Sequence, residues 1–361
     1  MELLQQLNIS YRKNFITVNK PLLNSINNIQ RKTPLWFLRQ SGRHIPEYFE
    51  IRAKAKNFID FCLNRDLVVE STKLPLKYYD LDAAIIFSDI LMIPWAMNRD
   101  VKFIKNQGPI LNPMVPDVTK IDKKIDIFQS LSPINDAMYI LKKDLPSHIS
   151  LIGFAGAPWT LSCYMIEGRG SKDFINTRRA LWETKKWFKE LIDTLIVYVA
   201  QKLELQARAG ADVLMIFDSW SHMIPYPYFH EFGIKPIAKI IELLRSQNIK
   251  QPIIGFPFKA GSSLIQYSYE SNVDCIALDW TVDLDWALKN LNSSITFQGN
   301  LDPSSLISEN NCYLEENVKS ILQKMKNKKF IFNVGHGLTP DCKIKNVRDV
   351  INMVRNYNRD Y

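Results

Sequence analysis

DVLMIFD, residues 212–218, places five consecutive apolar side chains between two aspartates. A strand with one face in water alternates apolar and polar residues, whereas one that is apolar throughout is covered on both faces, as in a parallel sheet flanked by helices. Seven further runs read the same way: TPLWFLR (33–39), DAAIIFS (82–88), ISLIGFA (149–155), PIIGFPF (252–258), DCIALD (274–279), SITFQG (294–299) and KFIFNV (329–334). The run at 252–258, which holds Pro257, and the run at 274–279 carry the pattern least clearly. Between the runs the spacing turns helical; over 182–208, Trp187, Leu191, Leu195 and Tyr198 recur every three to four residues among Lys and Glu. Strand and helix in alternation imply a parallel sheet. Eight strand candidates with no linker or composition break between them predict a single (β/α)8 TIM barrel over 33–361, preceded by a segment 1–32 that carries no recognisable role.

The composition agrees with a folded chain: 46% apolar and 23% charged residues supply both a large core and a polar surface. Residues 1–20 lack a signal-peptide pattern, and no run of eighteen apolar residues occurs, so a cytoplasmic protein without membrane association is expected. Cys62, Cys163, Cys275, Cys312 and Cys342 stand singly, without metal-type spacing, as thiols do in a reducing compartment. Lys and Arg number 46 against 37 Asp and Glu, a formal charge of +9. The excess lies in scattered pairs such as Lys123-Lys124 and Lys185-Lys186 rather than in a basic tail, which reads as solvated helix faces and not as a nucleic-acid surface.

A barrel places catalysis where strands run into the following loops. At those exits stand Arg39 with Arg43, Ser88 with Asp89, Gly156 with Tyr164, Asp218 with Ser219, and Gly335 with His336. Packing does not require such residues there, although any set of loops contains some by chance.

The segment RQSGRHIPEY (39–48) resembles the amino-terminal signature of uroporphyrinogen decarboxylases, in which two arginines flank a glycine-containing turn. IIFSDILMIP (85–94) resembles the family's aspartate loop, GFAGAPWTLSCYMIEGRG (153–170) its tyrosine segment, FDSWS (217–221) its hydroxyl position and NVGHGLTP (333–340) its histidine loop, all in family order. Ser41, His44 and His222 depart from the common family residues. The resemblance implies a small-molecule substrate, uroporphyrinogen III. Its four acetates become methyl groups with loss of CO2, giving coproporphyrinogen III in porphyrin and heme biosynthesis. It further implies a reaction without metal or cofactor, and a homodimer.

Loss of CO2 leaves electrons on carbon. Protonating the pyrrole ring makes a cation that accepts them, and a fixed negative charge then stabilises that cation. The resemblance gives this charge to Asp89, whose carboxylate would accept the pyrrole N–H groups; the competing reading is an N-cap for a helix starting near Ile90. Arg39 and Arg43 suit carboxylates through two-pronged guanidinium geometry, with Arg39 the candidate to relay or supply a proton despite its weak acidity; alternatively both bridge on the surface to Glu47 or Glu50. Tyr164, grouped with Asp89 and Arg39 as catalytic, and Ser219 offer neutral hydroxyls, or else a core tyrosine and a helix cap. His336, between Gly335 and Gly337, would bind a carboxylate and, titrating near neutrality, shuttle protons. Main-chain N–H groups of the turn Gln40, Ser41, Gly42 and Arg43 would add anion contacts. Two rivals fare worse: a zinc methyltransferase needs His-x-Cys, yet Leu338 and Ile224 follow His336 and His222, and a tetrapyrrole carrier needs no Asp89.

Overall fold

A computed structural model describes residues 20–27, 32–104, 107–310 and 312–358. Its centre is a seven-stranded, wholly parallel sheet in the order β1-β4-β5-β6-β7-β8-β9. These are β1 (Ala83–Ile85), β4 (Ser150–Gly156), β5 (Val213–Asp218), β6 (Ile253–Pro257), β7 (Cys275–Ala277), β8 (Thr296–Leu301) and β9 (Phe330–Val334). Every residue of β4, β6, β7, β8 and β9 is buried, as two-sided cover demands. A short antiparallel hairpin, β2 (Lys102–Ile104) with β3 (Gly108–Ile110), escapes the sequence reading because its three-residue strands show no sustained pattern.

The first of the eight expected strands, 33–39, survives only as a single parallel bridge, Leu35 to Phe332 of β9. That bridge nevertheless closes the barrel. Phe332 N–H donates to Pro34 O at 2.8 Å, and Asp82 N–H, at the start of β1, donates to Leu35 O at 2.9 Å. Side chains take the remaining ladder positions: Asp82 Oδ2 accepts Leu35 N–H at 2.7 Å and Asn333 Oδ1 accepts Leu38 N–H at 3.0 Å. Pro34 has no N–H to offer, and Arg39 enters the left-handed region at φ 57°, so no regular strand can run the whole length.

The expected helix over 182–208 is two, Ile175–Glu183 and Lys185–Arg208, separated at Thr184 (φ −124°, ψ 43°), whose hydroxyl turns back to Ala180 O at 2.9 Å. The longer one packs against β4 so closely that a Cβ on Gly153 would come within 2.7 Å of Gln206 Oε1. Part of the amino-terminal segment also gains a place. The helix Pro21–Ile26 lies against the opposite, amino-terminal end of the strands, with Leu22 buried, Ser25 Oγ donating to Phe330 O at 2.9 Å, and Lys20 Nζ donating to Ile149 O at 3.1 Å. It covers the floor of the barrel; residues 1–19 and 28–31 lie outside the described residues.

Candidate active site

The turn after Leu35 is braced from inside. Gln40 is 1% exposed; its Oε1 accepts Phe37 N–H at 3.2 Å, its Nε2 donates to Ala83 O at 3.1 Å, and its own N–H donates to Phe37 O at 3.0 Å. Gln40 is therefore a strut, with neither its side chain nor its N–H free for an anion. Arg39 and Arg43 are exposed, and no carboxylate holds either of them among the described residues. Glu47, the surface partner considered for them, instead accepts Tyr78 OH. Ser41 Oγ and, after the end of β1, Ser88 Oγ are buried without a hydrogen-bond partner among the described residues.

Asp89 stands ahead of the following helix without capping it, since Leu91 holds the N-cap position with no side-chain cap bond. Oδ1 accepts Leu91 N–H at 2.8 Å, a local turn bond that leads into the helix Met92–Ala96, so the helix starts two residues later than Ile90. The residue as a whole is half-buried. Burial pushes its pKa above the ordinary carboxylate range, opposed by the Leu91 bond and by the charges of Lys202 and Arg39. Tyr164 lies on the helix Pro158–Glu167, which begins on Pro158 and ends on Gly168 in the left-handed region (φ 73°). Its ring meets Trp220 edge-on at 6.0 Å, and burial raises its phenol to about 12, with the charges of Asp89 and Arg39 both reaching it. Asp89, Arg39 and Tyr164 thus lie within electrostatic reach of one another.

His336 stands at the exit of β9, its ring centroid 4.8 Å from Phe258 and 6.0 Å from Trp280. Burial, then the charges of Arg39 and Lys259, lower its pKa to about 4. At neutral pH it is an uncharged imidazole, which removes the near-neutral titration on which a proton shuttle rests. Ser219, at the exit of β5, is half-buried, and no side chain caps the 3-10 turn Ser221–Met223 after it. Arg43 is the outlier: its charge reaches Tyr48 and is not among those acting on Asp89 or Tyr164.

The sequence profile of the uroporphyrinogen decarboxylase family (URO-D) matches residues 17–357. The chain belongs to the uroporphyrinogen decarboxylase family. It is 41% identical over 338 residues to the uroporphyrinogen decarboxylase of Rickettsia conorii, covering 94% of this chain and 97% of that one. With the Maricaulis maris uroporphyrinogen decarboxylase it shares 39% over 325 residues, 89% and 93% of the two chains. Among solved structures it superimposes on a methyltransferase from Methanosarcina mazei with a TM-score of 0.77 at 13% identity, over 94% of this chain and 98% of that one. A B12-independent methionine synthase from Shewanella sp. W3-18-1 follows at 0.54 and 12%, over 82% and 87%. At those identities the two structures establish the barrel fold alone.

Within this decarboxylase family frame, three features of the site escaped the sequence reading. Phe154 and Phe217 meet edge to face at 5.4 Å toward the ends of β4 and β5, an aromatic pair beside the strand exits. Asp279, 1% exposed after β7, accepts Lys259 N–H at 2.9 Å and so fixes Lys259, whose ammonium lies 4.9 Å from the Trp280 ring. Lys202, 1% exposed on the helix Lys185–Arg208, donates to the Asp89 main-chain carbonyl at 3.3 Å. Its signal was present: Leu195, Val199, Lys202 and Gln206 form one helical stripe, so Lys202 falls on the buried face.

Proposed function

We propose that the hollow at the strand exits carries out the family's reaction with Asp89 as its fixed anion. The activity itself follows from family membership: decarboxylation of the four acetates of uroporphyrinogen III to methyl groups, giving coproporphyrinogen III and CO2 in porphyrin and heme biosynthesis. In each round a proton adds to a pyrrole carbon, the acetate C–C bond electrons flow into the ring cation as CO2 leaves, protonation of the resulting methylene yields methyl, and loss of the proton first added to the ring carbon restores the pyrrole. Asp89 accepts the pyrrole N–H groups and stabilises the cation, a preorganised interaction worth about 3–4 kcal/mol of barrier by analogy with oxyanion-hole donors. Arg39 and Arg43 hold carboxylates, joined by Ser41 and Gly42 of the same turn, while Tyr164, Ser219 and His336 supply neutral hydrogen-bond partners.

One juxtaposition carries this reading: the half-buried Asp89 within the electrostatic reach of Arg39 and Tyr164. A homodimer in the cytoplasm is proposed on the family assignment; among the described residues no helix is long and apolar enough to cross a membrane. The test is anaerobic incubation of purified protein with reduced uroporphyrinogen, following the carboxyl count of the products. Stepwise loss from eight to four supports the reading, and tight binding with no loss would favour a carrier.

A further inference from the structure

We propose that Lys202 is a positioning residue for the decarboxylation: from behind the barrel wall it pins the Asp89 loop and holds the Asp89 carboxyl in its ionised form. The inference rests on the role given to Asp89 above.

Lys202 reaches the site from outside the sheet. Gln206, one turn along the same helix, lies against Gly153 in the middle of β4, and Lys202, one turn nearer the strand exits, sends its ammonium past the Phe154 ring at 5.4 Å to the Asp89 carbonyl at 3.3 Å. No carboxylate stands within ion-pair distance of this buried ammonium among the described residues. Packing does not explain such a residue, since an apolar side chain of the same length would fill the space without removing a charge from water. What the ammonium adds is a positive charge beside Asp89.

The groups facing Asp89 come from several elements: Arg39 from the closing turn, Lys202 from the helix Lys185–Arg208, Tyr164 from the helix Pro158–Glu167, and Cys62 from the helix Phe58–Leu63, with Arg52 beyond it. Burial drives Asp89 toward its neutral form, opposed first by the Leu91 N–H bond and then by two cations, Lys202 and Arg39. They differ in one respect. Arg39 is exposed at the mouth, where a substrate carboxylate pairs with it and cancels its field; Lys202 is sealed in the wall and keeps its charge in the complex. Burial lowers Lys202 to about 8, so it remains protonated at neutral pH. Lys202 therefore sustains the Asp89 anion when the macrocycle is bound.

The test compares pH profiles of kcat and KM for wild type, Lys202→Met, Lys202→Gln and Lys202→Arg, with thermal melts in parallel. In Lys202→Met the acid limb of kcat is expected to move up by about one pH unit or more. The loss is then roughly tenfold on the acid side of both limbs and shrinks as pH rises above them, while Lys202→Arg restores the wild-type limb and the melts stay at or above wild type. Lys202→Gln keeps a donor for the Asp89 carbonyl but no charge, and carries the same expected shift should Lys202→Met not fold. Acid limbs coinciding with wild type in the uncharged variants would overturn the proposal. Asp89→Asn in the same assay separates the two claims: activity surviving there removes the role of Asp89 itself, whereas an inactive Asp89→Asn beside wild-type profiles for the Lys202 variants removes only that of Lys202.

Discussion

The side chain of Arg39 lies directly over Gly337: a Cβ built on Gly337 would stand 2.6 Å from Arg39 Cγ and 2.9 Å from Nε, with Cδ closer still. The two loops are also tied through their main chains, Leu338 N–H donating to Leu38 O at 2.9 Å. Glycine at 337 is thus the bed on which the arginine rests. Gly337→Ala should leave the fold intact, because a flexible side chain can give way, but it displaces the guanidinium. KM for uroporphyrinogen should rise about tenfold, in line with loss of one charge-assisted hydrogen bond. Steady-state kinetics of Gly337→Ala, Arg39→Ala and the double variant check this: the glycine substitution should add nothing once Arg39 is gone. Additive effects would mean that Gly337 acts on something other than Arg39.

Asp218 gives a pH signature unrelated to catalysis. It is 2% exposed, accepts Thr160 Oγ1 at 2.6 Å, and burial raises its pKa to about 7 from 3.8. The folded state therefore holds a proton that the unfolded chain releases between those values, so this group's contribution is fully present below about pH 4 and is lost as pH rises through 7. Asp218→Asn keeps an acceptor for Thr160 without the charge. Relative to wild type, its melting temperature should gain between pH 5 and pH 8. An unchanged difference across that range would place the Asp218 pKa near its ordinary value.

His336 and His44 should behave in the opposite sense. Burial is the largest cause of lowering for both, to about 4 from 6.5. They are proton-free in the fold where the unfolded chain binds protons, so their contribution is present above pH 6.5 and is lost as pH falls toward 4. Imidazole resonances of these two residues should show no titration down to about pH 5 in the free protein. Binding of a carboxylate ligand should raise the His336 midpoint and leave that of His44 in place. Midpoints near 6.5 for both in the free protein would restore the shuttle reading of His336.

The net charge of +9 should speed capture of a substrate carrying eight carboxylates if it is concentrated around the cleft. Raising ionic strength from about 0.01 M to 0.15 M shortens the Debye length from about 30 Å to 8 Å, so kcat/KM should fall while kcat holds. A salt-independent kcat/KM would leave the surplus lysines as solvation alone.

Much of this was legible in the chain. Strands buried on both faces announce themselves as unbroken apolar runs, which is why seven of the eight appear as strands within one or two residues of their expected ends at most boundaries. The eighth, 33–39, was apolar enough to be read as a strand, yet its ladder bonds go to the side chains of Asp82 and Asn333, which no periodicity reveals. Strand exits and the loops after them then offered Asp89, Arg39, Tyr164, Ser219 and His336 as candidates, and the family resemblance supplied the roles proposed for them. What stayed hidden depends on three-dimensional neighbours: Gln40 reads as one more polar loop residue until Phe37 and Ala83 are seen to occupy it, and a histidine's pKa is invisible until its aromatic walls are in place. Lys202 lay hidden for another reason, since a lysine on a helix is ordinarily a solvated one.

The central claim is that the Asp89 anion meets the ring nitrogens and stabilises the cation formed there. Its most direct test is the single-turnover rate of CO2 release from bound uroporphyrinogen by Asp89→Asn, with substrate affinity measured on the same sample. The account predicts a loss of at least about a hundredfold in rate from removing one preorganised electrostatic group, with weakened but measurable binding. A rate within a few-fold of wild type, with substrate bound, would contradict it.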